Sequence, residues 1–550
     1  MSLRDGKANS RSSVGLRPVP RTANQLRAYS GPKAASVSIP AWIGIICAIY
    51  AFWLLPRAEA VLRNTIMRDD LVHVPYGHLT SYRPIFFLDL LVWNAVFGPE
   101  YIRSTYPKLL AGIWMSLVAA ITLSIVLRRT RSWPIAIGTA LLFVSHPIVD
   151  ELTLFNASAP VGLSMLLATL AYCVSASSRS LSTFAFATLL LALAVAGYQI
   201  NMAVFLVLAA WAVASSPGEP GQTPLRDLVW HGGVAIVAVF GFAVYVLFSK
   251  HVLEIVSWGG RGFASVAMLL SRDFAIAKWH GMTNMLGDVT QPYLSYYFSI
   301  GSAWRYWWLP FLVIPACAAV ACMHARRTLA QSVLCVAATF ALPIIPTLFL
   351  VGANVTPEGW RVCGPVLYAT CLSISIPLSI WSRHATNRGD ARAWWPSATT
   401  CAIYTVLICA SLPLVRKDVG IRVEAQERDN AVIARVAAHW EQSGVRRGDV
   451  RVLVLPVERP SGRFAPVRSG QERGELMSDF QILTWRNYSN LSSPWAFSQA
   501  FVEHAGFSSE PSGTAVVEPT QALGGPCPVV SPGAVVILND DARTTSWVCR

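Results

Sequence analysis

The chain has 550 residues, 54% of them hydrophobic and only 13% charged, with a mean hydropathy of +0.46 and a formal net charge of +14. Soluble domains carry roughly 25% charged residues, so a soluble enzyme, a disordered chain and a disulfide scaffold are all poor fits. The basic balance admits a nucleic-acid partner only if Lys and Arg gather on a folded face with aromatic or hydrogen-bonding readers, and their placement along the chain decides that.

Residues 1–38 hold seven basic residues, Arg4 to Lys33, against Asp5 alone, among many Ser, Gly and Pro, which reads as a disordered basic tail. The first apolar run starts too late and is too long for the h-region of a signal peptide, so it reads as a retained helix with its N-terminus in the cytoplasm. A bilayer core needs ~20 apolar helical residues. Eleven stretches approach that length: 39–56, 109–127, 133–148, 159–177, 181–197, 199–216, 229–249, 306–323, 329–351, 363–381 and 397–414. The third is short, and the fifth and sixth are nearly continuous through Gly197.

With the N-terminus inside, the loops on that side hold Arg128, Arg129, Arg131, Arg179, Arg226, Arg326, Arg327, Arg383, Arg388 and Arg392, and with the seven basic residues of the tail, less Asp5, Glu219, Asp227 and Asp390, the inner face has a net charge of +13. The outer loops sum to +1 and residues 415–550 to zero. The charge is therefore a positive-inside signature, and no nucleic-acid partner is needed to explain it.

The odd count of spans puts residues 415–550 outside. Periodicity there predicts a helix over 422–443, a strand in "DVRVLVLPVE" and another in "GAVVILND", hence a small C-terminal α/β domain on the outer side. The predicted fold is thus an all-α polytopic membrane bundle over 39–414, about eleven spans, with that domain appended and the basic tail at 1–38. Nine cysteines lie in or beside spans, where Cys is a small apolar residue. Cys527 and Cys549 fall in the tail, where a disulfide would suit an oxidising compartment.

The first outer loop, residues 63–98, sets adjacent carboxylates Asp69 and Asp70 among Arg68, His73, Tyr76, His78 and Arg83, then an apolar "RPIFFLDLLVWNAVF" segment suited to the membrane interface. Twin acids repel unless something uses their charge. Asp150 and Glu151 follow the third span, Tyr198 and Gln199 stand at the fifth-to-sixth junction, and Lys250, Arg261 and Arg361 lie in or beside later outer loops. All of these fall on one side by the charge-derived topology, as a single site requires.

The order Asp-Asp, then "YGH", then Arg-Pro leading an apolar helix resembles the Gtr-type O-antigen glucosyltransferases of the membrane-embedded GT-C superfamily. The "HPIVDELTLFNAS" segment and the Tyr198-Gln199 pair of "GYQIN" are similar to that family at corresponding places. His146, Asn156 and Tyr82 depart from its pattern. The resemblance implies a polyprenyl-phosphate sugar donor, a glycan acceptor, and a general base at Asp69 or Asp70. Arg361, then Arg83, Lys250 and Arg261, are candidates for the donor phosphate, because a guanidinium fork binds phosphate bidentately. Asp150, Glu151, Tyr76, Tyr198 and Gln199 are candidates for sugar or acceptor. Paired Asp with an outer Glu are also hard oxygen ligands for Mg²⁺ or Mn²⁺, so a metal is left open. The alternatives are an O-antigen polymerase or ligase, which would lean on late Arg and His, and a transporter or flippase, which would place ionisable groups inside spans.

Overall fold

A computed structural model describes residues 38–65, 83–98, 104–154, 159–215, 224–251, 268, 271–298, 308–349, 363–387, 394–442, 451–454, 534–540 and 543–548. The chain divides into two units, Met1–Gly44 and Ile45–Arg550. In the first, the described residues 38–44 enter a helix whose first turn is closed by Trp42 N–H to the Ser38 carbonyl at 3.0 Å.

That helix is α1 (Ile39–Leu54), followed by a 3-10 turn at Leu55–Arg57 and the short α2 (Ala58–Leu62). The bundle continues with α3 (Pro84–Phe97), α4 (Tyr106–Thr130), α5 (Trp133–Val144), α6 (Ile148–Thr153), α7 (Ala159–Ser177) and α8 (Leu181–Gly197). A 3-10 turn at Gln199–Asn201 leads to α9 (Met202–Ala214), then α10 (Pro224–His251), α11 (Arg272–Phe298), α12 (Leu309–His324), α13 (Leu329–Leu348), α14 (Gly364–Asn387) and α15 (Trp394–Gln442). Pro in the first turns of α3, α4, α5 and α12 sits where an amide donor would be unsatisfied anyway. Ser180–Thr183 and Thr328–Gln331 close reciprocal capping boxes on α8 and α13.

Each of the eleven apolar runs falls on a helix, and α7 and α8 coincide with their predicted spans. Length sorts these helices into two groups. Seven of the described helices are long and apolar enough to cross a bilayer. Runs short of the ~20 residues required, such as the 12 residues of α5, about two turns short, and the 16 of α12, about one turn short, do not establish spans on their own.

Two elements differ from expectation. The 250–305 segment, read as a loop, contains the 27-residue α11; Arg272, Asp273, Lys278 and Asp288 interrupt its apolar pattern and hide a helix from a span search. The last predicted span and the predicted 422–443 helix are one 49-residue helix, α15, which passes residue 414 without a break. At 1.5 Å per residue it is about 74 Å long, far more than a ~30 Å hydrocarbon core. The two predicted strands appear as β1 (Arg451–Val454) and β2 (Ala534–Asp540), paired in parallel, with β3 (Arg543–Val548) antiparallel on the far edge of β2. Cys527 and Cys549 lie outside the described residues.

Small residues and internal hydroxyls hold the helices close. Gly112 of α4 lies against the fully buried Trp53, whose ring would stand 2.2 Å from a Cβ added there. Gly138 of α5 meets Tyr404 of α15 in the same way, and the Tyr404 hydroxyl bonds Thr139 Oγ1 at 2.8 Å. Trp211 Nε1 donates to Ser375 Oγ at 2.8 Å across α9 and α14. Without a hydrophobic drive between helices in lipid, close backbone approach and interhelical hydrogen bonds supply the association.

Candidate active site

Arg57 stands where the first apolar run ends. A guanidinium at such a place ordinarily reaches out to the headgroups, yet here it is wholly buried. Its Nε donates to Asp150 Oδ1 at 2.5 Å, Nη1 to the Trp53 carbonyl at 2.9 Å and Nη2 to the His146 carbonyl at 3.4 Å. The neighbouring Glu151 accepts from Arg422 Nη2 at 3.0 Å, and Arg422 Nε donates to Asp418 Oδ2 at 2.9 Å, one turn back in α15. The Asp418 carboxyl also comes within hydrogen-bonding reach of Asp150. These side chains are at most 8% exposed. Burial pushes the Asp150 carboxyl well above the usual carboxylate range; Arg57 opposes that and Asp418 adds to it. Buried charge survives only when paired, and the sequence supplies the pairs from three stretches far apart in the chain.

The segment carrying Arg57 is tied down beyond it. Arg63 pairs with Glu427 of α15 and with Glu59 at 3.2 Å. Lys108, fully buried, donates to Asn64 Oδ1 at 3.1 Å, and Thr105 Oγ1 donates to the Val61 carbonyl at 2.7 Å. Residues 55–65 are thus held on several sides, immediately ahead of the stretch containing Asp69 and Asp70.

A second group forms where α3 meets the α8–α9 junction. Arg83 precedes Pro84 at the start of α3, and its guanidinium carbon lies 4.8 Å from the Tyr198 ring centroid and 5.7 Å from that of Phe86. The Tyr198 turn is fixed from below: Ser164 Oγ donates to the Ala194 carbonyl at 2.7 Å, and Asn201 Nδ2 donates to the Val161 carbonyl at 3.0 Å. Gly197 allows the approach, since a Cβ there would sit 3.0 Å from that of Ser164. Gln199 is half-buried in the 3-10 turn. Further along α3, buried Asp89 accepts from Trp93 Nε1 at 3.0 Å; burial raises its carboxyl to about 6 against that bond.

The α11 helix joins the same end. His146 Nε2 meets the Val289 carbonyl at 3.0 Å, Tyr293 shares a 2.6 Å hydrogen bond with Ser411, and Cys363 Sγ lies 3.8 Å from Asp288 Oδ2.

Of the residues expected from sequence, the structure therefore brings together Arg83 with Tyr198, and Asp150 with Glu151, the latter two engaged by guanidinium groups. Lys250 is exposed in the last turn of α10. Asp69, Asp70, Tyr76, Arg261 and Arg361 lie outside the described residues. Among the described residues no group of three His, Cys, Asp or Glu is placed to hold a metal ion. Sequence reasoning missed Arg57, Lys108, Asp418 and Arg422. The available signal was the Asp418–Arg422 spacing of four in "DVGIR", which places opposite charges on one helix face.

The opposite end collects the loops read as inner. Arg179 pairs with Asp227, Trp230 Nε1 donates to the Ser175 carbonyl at 3.0 Å, and Arg383 donates to the carbonyls of Arg129 and, at 3.3 Å, Ser215. Residues assigned to opposite sides by charge thus separate to opposite ends.

A search of curated proteins finds no match to the chain. The sequence model of one family, described as Glucosyl transferase GtrII, matches residues 60–359, more than half of the chain and a range that includes Asp69, Asp70, Arg83, Asp150, Glu151, Tyr198 and Gln199. The chain belongs to the glucosyl transferase GtrII family, and is accordingly a glycosyltransferase with membrane-spanning helices.

Proposed function

We propose that the protein transfers glucose from a polyprenyl-phosphate donor to a surface glycan or its lipid-linked precursor, on the periplasmic face of the inner membrane, with inversion at the anomeric carbon. The observation that carries this reading is the gathering of Arg57, Arg83, Asp150, Glu151, Tyr198 and Asp288 at one end of a GtrII-family bundle, remote from the Arg-rich end. Asp69 or Asp70 removes the proton from the acceptor hydroxyl as its oxygen attacks the anomeric carbon. The bond from that carbon to the phosphate oxygen breaks, and polyprenyl phosphate leaves with the electron pair. Its growing negative charge calls for a cation, and Arg83, set against the Tyr198 and Phe86 rings, carries the planar fork that suits phosphate. Arg361, Arg261, Lys250 and Tyr76 complete the proposed binding set, with Gln199 beside Tyr198. The bundle is crossed about eleven times, with residues 1–38 in the cytoplasm and residues 415–550 in the periplasm as a domain that includes the three strands.

The experiment is substitution of the twin acids. Asp69→Asn or Asp70→Asn abolishes glycan modification in cells while the protein still inserts. Full modification by both single variants and by the double variant would remove the proposed base.

A further inference from the structure

Helix α11 buries a cation without giving it an anion. Lys278 lies on the face of α11 that also buries Met285 and Val289, two and three turns further on, and it is only 3% exposed. A lysine on a helix ordinarily runs its stem along apolar surface and ends in water or among headgroups. Here Nζ is enclosed, and none of its three N–H donors meets an acceptor among the described residues. Asp273, the acid nearest in sequence, is exposed in the first turn of the helix and gives Lys278 no hydrogen bond. What Nζ does meet is the face of Phe274, whose ring centroid is 4.8 Å away. A ring face favours a cation and takes up no N–H, so the donors stay open. Burial pushes the ammonium below its ordinary range, and a bound anion would restore the charge.

The surroundings select the anion. Ile276 and Trp279, on either side of Lys278, are exposed, an aliphatic residue and an indole turned outward as at the border between hydrocarbon and headgroups. A phosphate on a lipid tail reaches that depth with its charge at the interface and its chain in the hydrocarbon. Eleven residues on, about 16 Å along the helix, the same face of α11 reaches the candidate site, where the Val289 carbonyl meets His146.

We infer that Lys278 is a binding residue for the phosphate of the lipid-linked donor, which it receives at the membrane edge of the candidate site. Its N–H groups donate to phosphate oxygens while Phe274 backs the ammonium, and no bond is made or broken there. This inference rests on the proposed polyprenyl-phosphate donor, and the binding arm of its test does not need transfer to occur.

The binding arm uses the full-length protein in detergent, with farnesyl phosphate, farnesol, inorganic phosphate and phosphatidylglycerol as probes. Farnesyl phosphate raises the melting temperature of the wild type by about 2 °C or more, and the other three do not. Lys278→Met keeps the length of the stem without the charge; it melts no lower than wild type when no probe is present, and it loses the farnesyl phosphate shift. Lys278→Arg keeps part of that shift. A shift that survives in Lys278→Met would overturn the site. So would a Met variant that melts well below wild type without probe, since the chain itself would then be using the charge. An equal shift from inorganic phosphate would make this a site for the free anion, and an equal shift from phosphatidylglycerol a general headgroup site; either removes the donor assignment.

The turnover arm uses polyprenyl-phosphate glucose with cell-envelope acceptor. In Lys278→Met, kcat/KM for the donor falls about tenfold or more, the loss lying mainly in KM, and Lys278→Arg recovers part of it. A loss confined to kcat would place Lys278 in the chemical step and sink the docking role. If the wild type turns over no such donor, the functional reading fails while the melting shifts still decide whether Lys278 holds a lipid phosphate.

Discussion

Arg83 lies over the face of Tyr198, its guanidinium carbon 4.8 Å from the ring centroid, and so joins the entry of α3 to the junction of α8 and α9. The contact constrains a planar cation without occupying its fork with that ring, which is the geometry wanted of a group that must meet a phosphate. Replacing Tyr198 with Leu removes the π-face and costs about 0.5–2 kcal/mol, a factor of roughly 2 to 30 in transfer. Phe at the same place retains the face and most of the activity. Arg83→Lys keeps the charge but loses the bidentate fork, and falls below Tyr198→Leu. Initial rates of glucose transfer across the four proteins check the order; Lys equal to Arg would mean that Arg83 acts as charge alone.

Helix contact at Gly112 gives a prediction about folding instead of chemistry. A methyl group there overlaps the Trp53 ring at 2.2 Å, and both the ring and the glycine lie in the buried seam between α1 and α4. Overpacking of this kind costs typically 1–3 kcal/mol. Gly112→Ala therefore lowers the melting temperature in detergent, and Trp53→Phe in the same chain restores part of the loss by vacating the space. A variant as stable as wild type would show that the seam yields.

How far the sequence could be read follows from which interactions are local. Apolar length is local, and so the eleven runs were all found and α7 and α8 matched to the residue. α11 was missed because Arg272, Asp273, Lys278 and Asp288 spoil the apolar count without spoiling the helix. The continuity of α15 was missed because Pro413 and a burst of charge at Arg416, Lys417 and Asp418 look like a boundary, whereas the helix accommodates the proline and buries the aspartate. Asp150 and Glu151 were conspicuous as acids. Their partners were not, since nothing local announces that Arg57, 93 residues earlier, and Arg422, 271 residues later, close on them.

Asp89 provides a pH dependence with a definite sign. Burial raises its carboxyl to about 6, against roughly 3.9 in an unfolded chain. A group whose folded value is the higher one stabilises fully below the unfolded value, and that contribution is lost as pH rises through the folded value. Wild-type protein therefore loses stability between about pH 4 and 6 through this group, by on the order of 3 kcal/mol. In Asp89→Asn, which can still accept from Trp93, that part of the slope disappears. Melting curves from pH 4 to 8 for the two proteins measure it, and parallel slopes would rule Asp89 out as the source.

Orientation is the remaining prediction, and everything proposed for the site depends on it. The bundle has one end where Arg179 pairs with Asp227 and Arg383 reaches Arg129, and another where Arg57 meets Asp150. The loops read as inner hold ten Arg against three acids, and short Lys/Arg-rich loops stay in the cytoplasm. Helix α15 carries Arg422, a contact of the second end, and runs on from there to Gln442. Alkaline phosphatase, active only in an oxidising periplasm, should therefore be active when fused after residue 442 and inactive when fused in the loops at residues 179 or 326. Reversed activities would put Asp69, Asp70 and the Arg57 cluster in the cytoplasm. There, a soluble nucleotide sugar would be the accessible donor, and the polyprenyl-phosphate proposal would fall with the orientation.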